Sequence, residues 1–261
     1  MRRPASITSG RRDFLRVAAG ISLAASGEGA AGRAPKIIGE DDPANTKLVH
    51  RVGSRLSDDD LLFMKQIGLK WARVEFGDRE SDFESLRTVQ ERYGRFGMHI
   101  FSAVHPAYRS LKVQLGQPGR DADIETYRTF LRNMGRLRIP VASYDFHPGN
   151  TYTTAMVQHR GYTAREFKLE DFRNKVEKQR FEREYTADEI WANYTYFFKA
   201  VLPVAEEAGV KLALHPDDPP LEKMNGVAKI FTHYEGYRRA ERIAGGSRNW
   251  GLTFCVGTWL E

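Results

Sequence analysis

"TADEIWANYTYFFKAVLPVAEEAGVKLALHPDDPP" (Thr186–Pro220) reads as one helix feeding directly into one strand. Thr186 begins a capping box that Glu189 completes. A hydroxyl at the N-cap and a carboxylate three positions on each satisfy a backbone N–H that has no partner inside the helix. Gly209 stops the helix, since glycine takes the left-handed conformation that closes a last turn. Lys211–Pro216 is then a short strand. Pro216 ends it, because proline cannot donate to a ladder and restricts the residue before it. His215 is thereby held at the strand's C-terminal end.

The same alternation extends outward. Lys47–Val52, Trp71–Phe76, His99–Pro106 and Val141–Pro148 read as strands. Between them lie helices at Ser57–Gly68, with Ser57 as N-cap, at Asp82–Gly97, with Leu86, Val89 and Tyr93 at helical spacing, and at Ala122–Arg138. A polar, irregular section runs from Gly149 to about Tyr185. After Pro220, Gly226–Gly245 reads as mostly helical with a break near Gly236, and Asn249–Glu261 holds a sixth strand that carries Cys255. Strands alternating with helices pair in parallel through βαβ crossovers. No Gly-x-Gly-x-x-Gly follows the first strand, which argues against a dinucleotide fold. The expected fold is an α/β barrel of the TIM (β/α)8 type, preferred over a doubly wound sheet. About six βα units are legible where closure needs eight, so residues 36–261 are expected to form an incomplete barrel domain.

The 261 residues, 41% hydrophobic and 28% charged, can bury a sizeable core. The net charge of +6 does not imply nucleic acid, because basic and acidic residues interleave, as in "REFKLEDFRNKVEKQRFEREY" (Arg165–Tyr185). An anionic small-molecule substrate suits it. Near the N-terminus, "SGRRDFLRVAAGISLAASGEGAAGRA" (Ser9–Ala34) has paired arginines ahead of a mildly apolar run too short to span a bilayer. It reads as a twin-arginine export signal. Residues 1–35 are therefore expected to be a leader, with the twin-arginine export machinery as a partner. The mature chain would be periplasmic or extracellular, without stable membrane insertion, and cytoplasmic if the leader is not functional. The single cysteine excludes an internal disulfide, and a homo-oligomer stays open.

Chemistry in such barrels gathers where strands end. Here those ends are polar: His105-Pro106, then Tyr144-Asp145-Phe146-His147-Pro148, then His215-Pro216-Asp217-Asp218, then Cys255. His215 is a candidate metal ligand through a neutral ring nitrogen, with a satisfied core histidine as the competing reading. Cys255 on the neighbouring strand is a second candidate, with a core thiol or a nucleophile as the competing readings, since adjacent strands lie about 4.8 Å apart. A thiolate beside an imidazole favours Mn, Fe, Co or Zn over Ca or Mg. Asp217 reads as a substrate or outer-sphere contact, and Asp218 as the cap of a helix after the loop. Tyr144, His147 and His105 are candidates for catalytic acid or base.

"LALHPDDPP" (Leu212–Pro220) followed by "GLTFCVGTW" (Gly251–Trp259) resembles the mannonate dehydratase family, and "SYDFHP" (Ser143–Pro148) resembles its fourth-strand region more loosely. The resemblance implies a barrel similar to the xylose-isomerase type. It implies conversion of D-mannonate to 2-dehydro-3-deoxy-D-gluconate plus water, in glucuronate breakdown, with Mn or Fe as cofactor. His215 and Cys255 would be two metal ligands. The family's further His and Asp ligands would lie beyond the equivalent of Glu261. A sugar isomerase or epimerase on the same barrel, or an inactive fragment of such an enzyme, is the alternative.

Overall fold

A computed structural model describes residues 39, 42, 45–149 and 152–260. The chain divides into two units, Met1–Thr46 and Lys47–Glu261. The expected leader, residues 1–35, lies outside the described residues. In the first unit, the Asp42 N–H donates to Gly39 O and the Asn45 N–H to Asp42 O.

The second unit is organised around one parallel sheet. Its strands are β1 (Val49–Gly53), β2 (Trp71–Glu75), β3 (His99–Val104), β4 (Val141–Tyr144), β7 (Lys211–Leu214) and β10 (Trp250–Leu252), in the spatial order β1-β2-β3-β4-β7-β10. Each pairing is parallel, so each strand needs a crossover behind it. Helices supply the crossovers: α1 (Asp58–Gln66), α2 (Phe83–Arg95), α3 (Leu111–Leu115) with α4 (Arg120–Arg136), then α5 (Leu169–Asp171) and α6 (Ala187–Ala208), and finally α7 (Tyr234–Ile243). A short α8 (Val256–Trp259) follows β10. The six expected βα units are thus present as an α/β sheet of TIM-barrel type. Among the described residues it does not close: β1 and β10 are edge strands.

The local signals act as expected. Ser57 accepts from the Asp60 N–H at the start of α1, and Asp82 accepts from the Ser85 N–H at the start of α2. Leu86, Val89 and Tyr93 form the buried face of α2. The Thr186–Glu189 capping box is complete, and Gly209 ends α6 with φ +67°. Helix α6 buries Ile190, Tyr194, Phe197, Phe198 and Val201 against the sheet and α4. On β2, buried Ala72 and Val74 alternate with half-buried Trp71, Arg73 and Glu75 on the opposite face. No helix among the described residues is long and apolar enough to cross a membrane.

Three expectations are corrected. The section after β4, read as irregular, contains an antiparallel hairpin of β5 (Ala155–His159) and β6 (Tyr162–Glu166). Its turn residues Arg160 and Gly161 both have positive φ, +47° and +87°, the geometry that matches strand twist in a two-residue hairpin. Residues 226–245 are not mostly helical. Asn225 and Gly226 turn between β8 (Lys223–Met224) and β9 (Val227–Ala228), and α7 begins only at Tyr234. Gly236 does not break that helix. It lies inside it, where a Cβ would come 2.1 Å from the Ile230 carbonyl oxygen, so glycine permits a close backbone approach. Cys255 is not on the sixth strand. β10 ends at Leu252, and Cys255 is the N-cap residue of α8.

Candidate active site

The segments that follow β4, β7 and β10 bring three of the expected residues to one cavity of about 430 Å³: His147, His215 and Cys255. His215 follows β7 directly, and its N–H donates to Tyr144 O at 2.8 Å, which carries the ladder one residue past the strand. Its Nδ1 lies 2.8 Å from Pro216 O. A carbonyl only accepts, so Nδ1 carries the proton and the Nε2 lone pair is left for another partner. Burial lowers the pKa of this imidazole, which favours that neutral form. Cys255 is half-buried, and the Thr258 hydroxyl donates to its sulfur at 3.3 Å.

His147 belongs to a buried network. Its Nε2 is 3.0 Å from Asp145 Oδ1 and also meets the Tyr152 hydroxyl. The other Asp145 oxygen accepts from Tyr108 Oη at 2.9 Å and from Arg109 Nε at 3.0 Å and Nη2 at 2.5 Å. Burial opposes the charge on Asp145, but His147 and then Arg109 outweigh it and hold the carboxyl well below its usual range. Asp145 is therefore a fixed anion that orients His147. Tyr152 reaches the cavity from the segment leading into the β5–β6 hairpin.

Arginines dominate the rest of the wall: Arg51 from β1, Arg73 from β2, Arg109 after β3 and Arg165 from β6. Register places Arg51 beside Arg73, and both reach for Glu75, at 2.7 Å and 3.9 Å. Arg73 also contacts the Ser143 hydroxyl at 3.4 Å. Burial and then Arg51 lower the Arg73 pKa, so this charge sits where an anion would relieve it. These arginines, Tyr152 and Asp145 were not singled out from sequence. The available signal was Arg73 itself, a charge inside "WARVEF" at the strand phase opposite Ala72 and Val74.

The other expected site residues lie elsewhere. Tyr144 is a core residue: it is buried, and its hydroxyl pairs with Tyr194 Oη at 3.1 Å. His105 is buried, accepts from the Ala107 N–H at 3.2 Å, packs on Phe130 and borders a different groove, beside Asp78 and Asp123. Asp217 does not line the cavity. Its Oδ2 accepts from the N–H groups of Ile230 and Phe231 at 3.1 and 2.7 Å, and its Oδ1 meets buried Lys229 at 3.1 Å. Asp218 does line the cavity and caps no helix, since β8 and β9 follow it.

A catalytic metal centre needs about three protein ligands. Among the described residues, no group of three or more His, Cys, Asp or Glu side chains is arranged to hold an ion. His215 and Cys255 have suitable donor chemistry but do not by themselves make a centre.

The family model described as D-mannonate dehydratase (UxuA) matches residues 156–260. Mannonate dehydratase of Streptococcus equi subsp. zooepidemicus is 32% identical over 250 residues, covering 85% of this chain and 65% of that protein. The Streptococcus suis enzyme is 34% identical over 174 residues, 57% of this chain and 47% of the relative. The crystal structure of mannonate dehydratase from Streptococcus suis serotype 2 superposes with a TM-score of 0.72 at 29% identity, covering 83% of this chain and 66% of that one. The chain thus spans about half the length of the first curated relatives it matches. These comparisons correct the expectation of export: they match the chain to mannonate dehydratases and give no evidence of export. The matched family is generally metal-dependent.

Proposed function

We propose, from the premise that the chain belongs to the mannonate dehydratase family, that it removes water from a sugar acid, converting D-mannonate to 2-dehydro-3-deoxy-D-gluconate. The observation that carries this reading is one sugar-sized cavity that combines a His147–Asp145 dyad, the His215 and Cys255 donors and a wall of arginines.

The reaction breaks the C2–H bond next to the carboxylate and expels the C3 hydroxyl as water. The resulting enol then becomes the 2-keto acid by taking a proton at C3. Three tasks follow for the protein. The carboxylate must be bound and its developing negative charge stabilised, which suits the arginine wall. A proton must be removed or delivered, which suits His147, held in one orientation by Asp145 and touching Tyr152. Water must be limited, and Tyr152 and Arg165, from the segment around the β5–β6 hairpin, cover one side of the cavity. Mn or Fe is the cofactor this reading implies, with His215 Nε2 and Cys255 Sγ as the donors this chain offers. A divalent ion would add Lewis-acid stabilisation of the substrate oxygens. The described residues do not by themselves complete its sphere.

The test is a substrate panel with the full chain and added Mn: D-mannonate, other aldonates, aldoses and ketoses, read by formation of a 2-keto-3-deoxy acid and by NMR for epimerised sugar. The reading predicts a 2-keto-3-deoxy product from D-mannonate above all. Interconversion of neutral sugars without water loss would replace it with the epimerase reading.

A further inference from the structure

We infer that Arg73 is the specificity-determining residue of this cavity: it recognises the substrate carboxylate and sets the preference for sugar acids over neutral polyols. The inference deepens the dehydratase reading and rests on it for the nature of the ligand.

The four arginines are not equivalent. Arg51 Nη2 is 2.7 Å from Glu75 Oε1 and most of its side chain is in solvent. Arg109 commits Nε and Nη2 to one Asp145 oxygen, so its charge is matched inside the protein. Arg165 sits on the exposed hairpin. Arg73 differs in three respects. Its contact to Glu75 is 3.9 Å, and the same oxygen is held more tightly by Arg51. Its other contact, with the Ser143 hydroxyl, is a neutral one at 3.4 Å. Its Nε is buried and has no hydrogen-bond partner.

A guanidinium that is desolvated and weakly countered gains most from an incoming carboxylate, which it can hold through two parallel N–H···O bonds. Polyol hydroxyls offer no matching charge. Arg73 is also carried by β2 rather than by a loop, so its position is set by the sheet before ligand arrives.

The test is calorimetric titration of the full chain with D-gluconate and with D-glucitol, which differ only in carboxylate against hydroxymethyl at C1. Wild type is expected to bind gluconate at least about tenfold more tightly. Arg73→Gln should remove that preference and leave glucitol binding unchanged, and Arg73→Lys should restore part of it. No preference in wild type, or an Arg73→Gln protein that melts normally and keeps the preference, overturns the inference. If Arg73→Gln does not fold, Arg73→Lys decides: an unreduced preference for gluconate overturns the assignment, and a reduced one supports it. Turnover of D-mannonate, measured in parallel, separates the two claims. A lost preference in a chain that does not dehydrate mannonate sinks the dehydratase reading and leaves Arg73 standing. Turnover with the preference intact in Arg73→Gln sinks Arg73 alone.

Discussion

His147 Nδ1 and Asp217 Oδ1 lie 3.7 Å apart, yet the two side chains serve different ends. His147 faces the cavity and is oriented by Asp145, so His147→Gln should lower kcat on D-mannonate by about 10²–10⁴ in a chain that still folds. A kcat within threefold of wild type would remove it from the chemistry. Asp217 is a structural anion. Removing it in Asp217→Ala leaves Lys229, whose side chain is fully buried, without that carboxylate. Breaking a buried pair in this way costs about 3–5 kcal/mol, measurable by urea denaturation. A loss under about 1 kcal/mol would mean that Lys229 has enough other support. The contrast explains what was legible at this scale. Proline after a strand marked His147 and His215 as residues at the sheet's C-terminal end. It does not say which way a side chain points: His105, Tyr144 and Asp217 lie at the same strand ends but are buried away from this cavity. Arg73 and Tyr152 were hidden for the opposite reason. One is a strand-interior charge and the other a loop tyrosine, and each takes its role from neighbours distant in sequence.

The elements were easier to read than the side chains, because caps and stops are local. Ser57, Asp82, Thr186 and Gly209 bound their helices as their chemistry requires. Thr186→Ala should cost about 1 kcal/mol by opening the capping box, seen as a lower thermal midpoint. The hairpin at 155–166 is hard to read from sequence because its turn is Arg-Gly rather than Asn-Gly, a weaker signal for the same positive-φ geometry. The contact between α4 and α6 could not be anticipated at all. At Gly135 a Cβ would stand 2.5 Å from the Ala208 carbonyl oxygen, so only glycine lets the two helices meet there. Gly135→Ala should cost about 1–3 kcal/mol by forcing them apart, despite alanine's better helix propensity. A stabilised variant would show that the helices separate freely.

For the molecule as a whole, burial writes a pH dependence into stability. His105 has its pKa lowered below 6.5 by burial, so the unfolded chain takes up this proton before the folded one does. Stability is complete above that value and falls as the pH drops below it. Asp145 adds a second loss at lower pH. Its folded pKa is depressed below 3.8, so its stabilisation is present above 3.8 and is lost as acid protonates it. Denaturation midpoints should therefore fall steadily between pH 7 and 5, and a His105→Gln chain should show a flatter profile. The six-unit parallel sheet was legible because strand and helix periods differ. The function depends on where those strand ends converge, and one reaction tests that most directly. The full chain with Mn is incubated with D-mannonate in D2O and followed by proton NMR. Dehydration through a C2 carbanion and an enol predicts 2-dehydro-3-deoxy-D-gluconate carrying one deuterium at C3, lost in His147→Gln. Unchanged mannonate from a folded chain, or deuterium at C2 of an intact aldonate, would contradict the account.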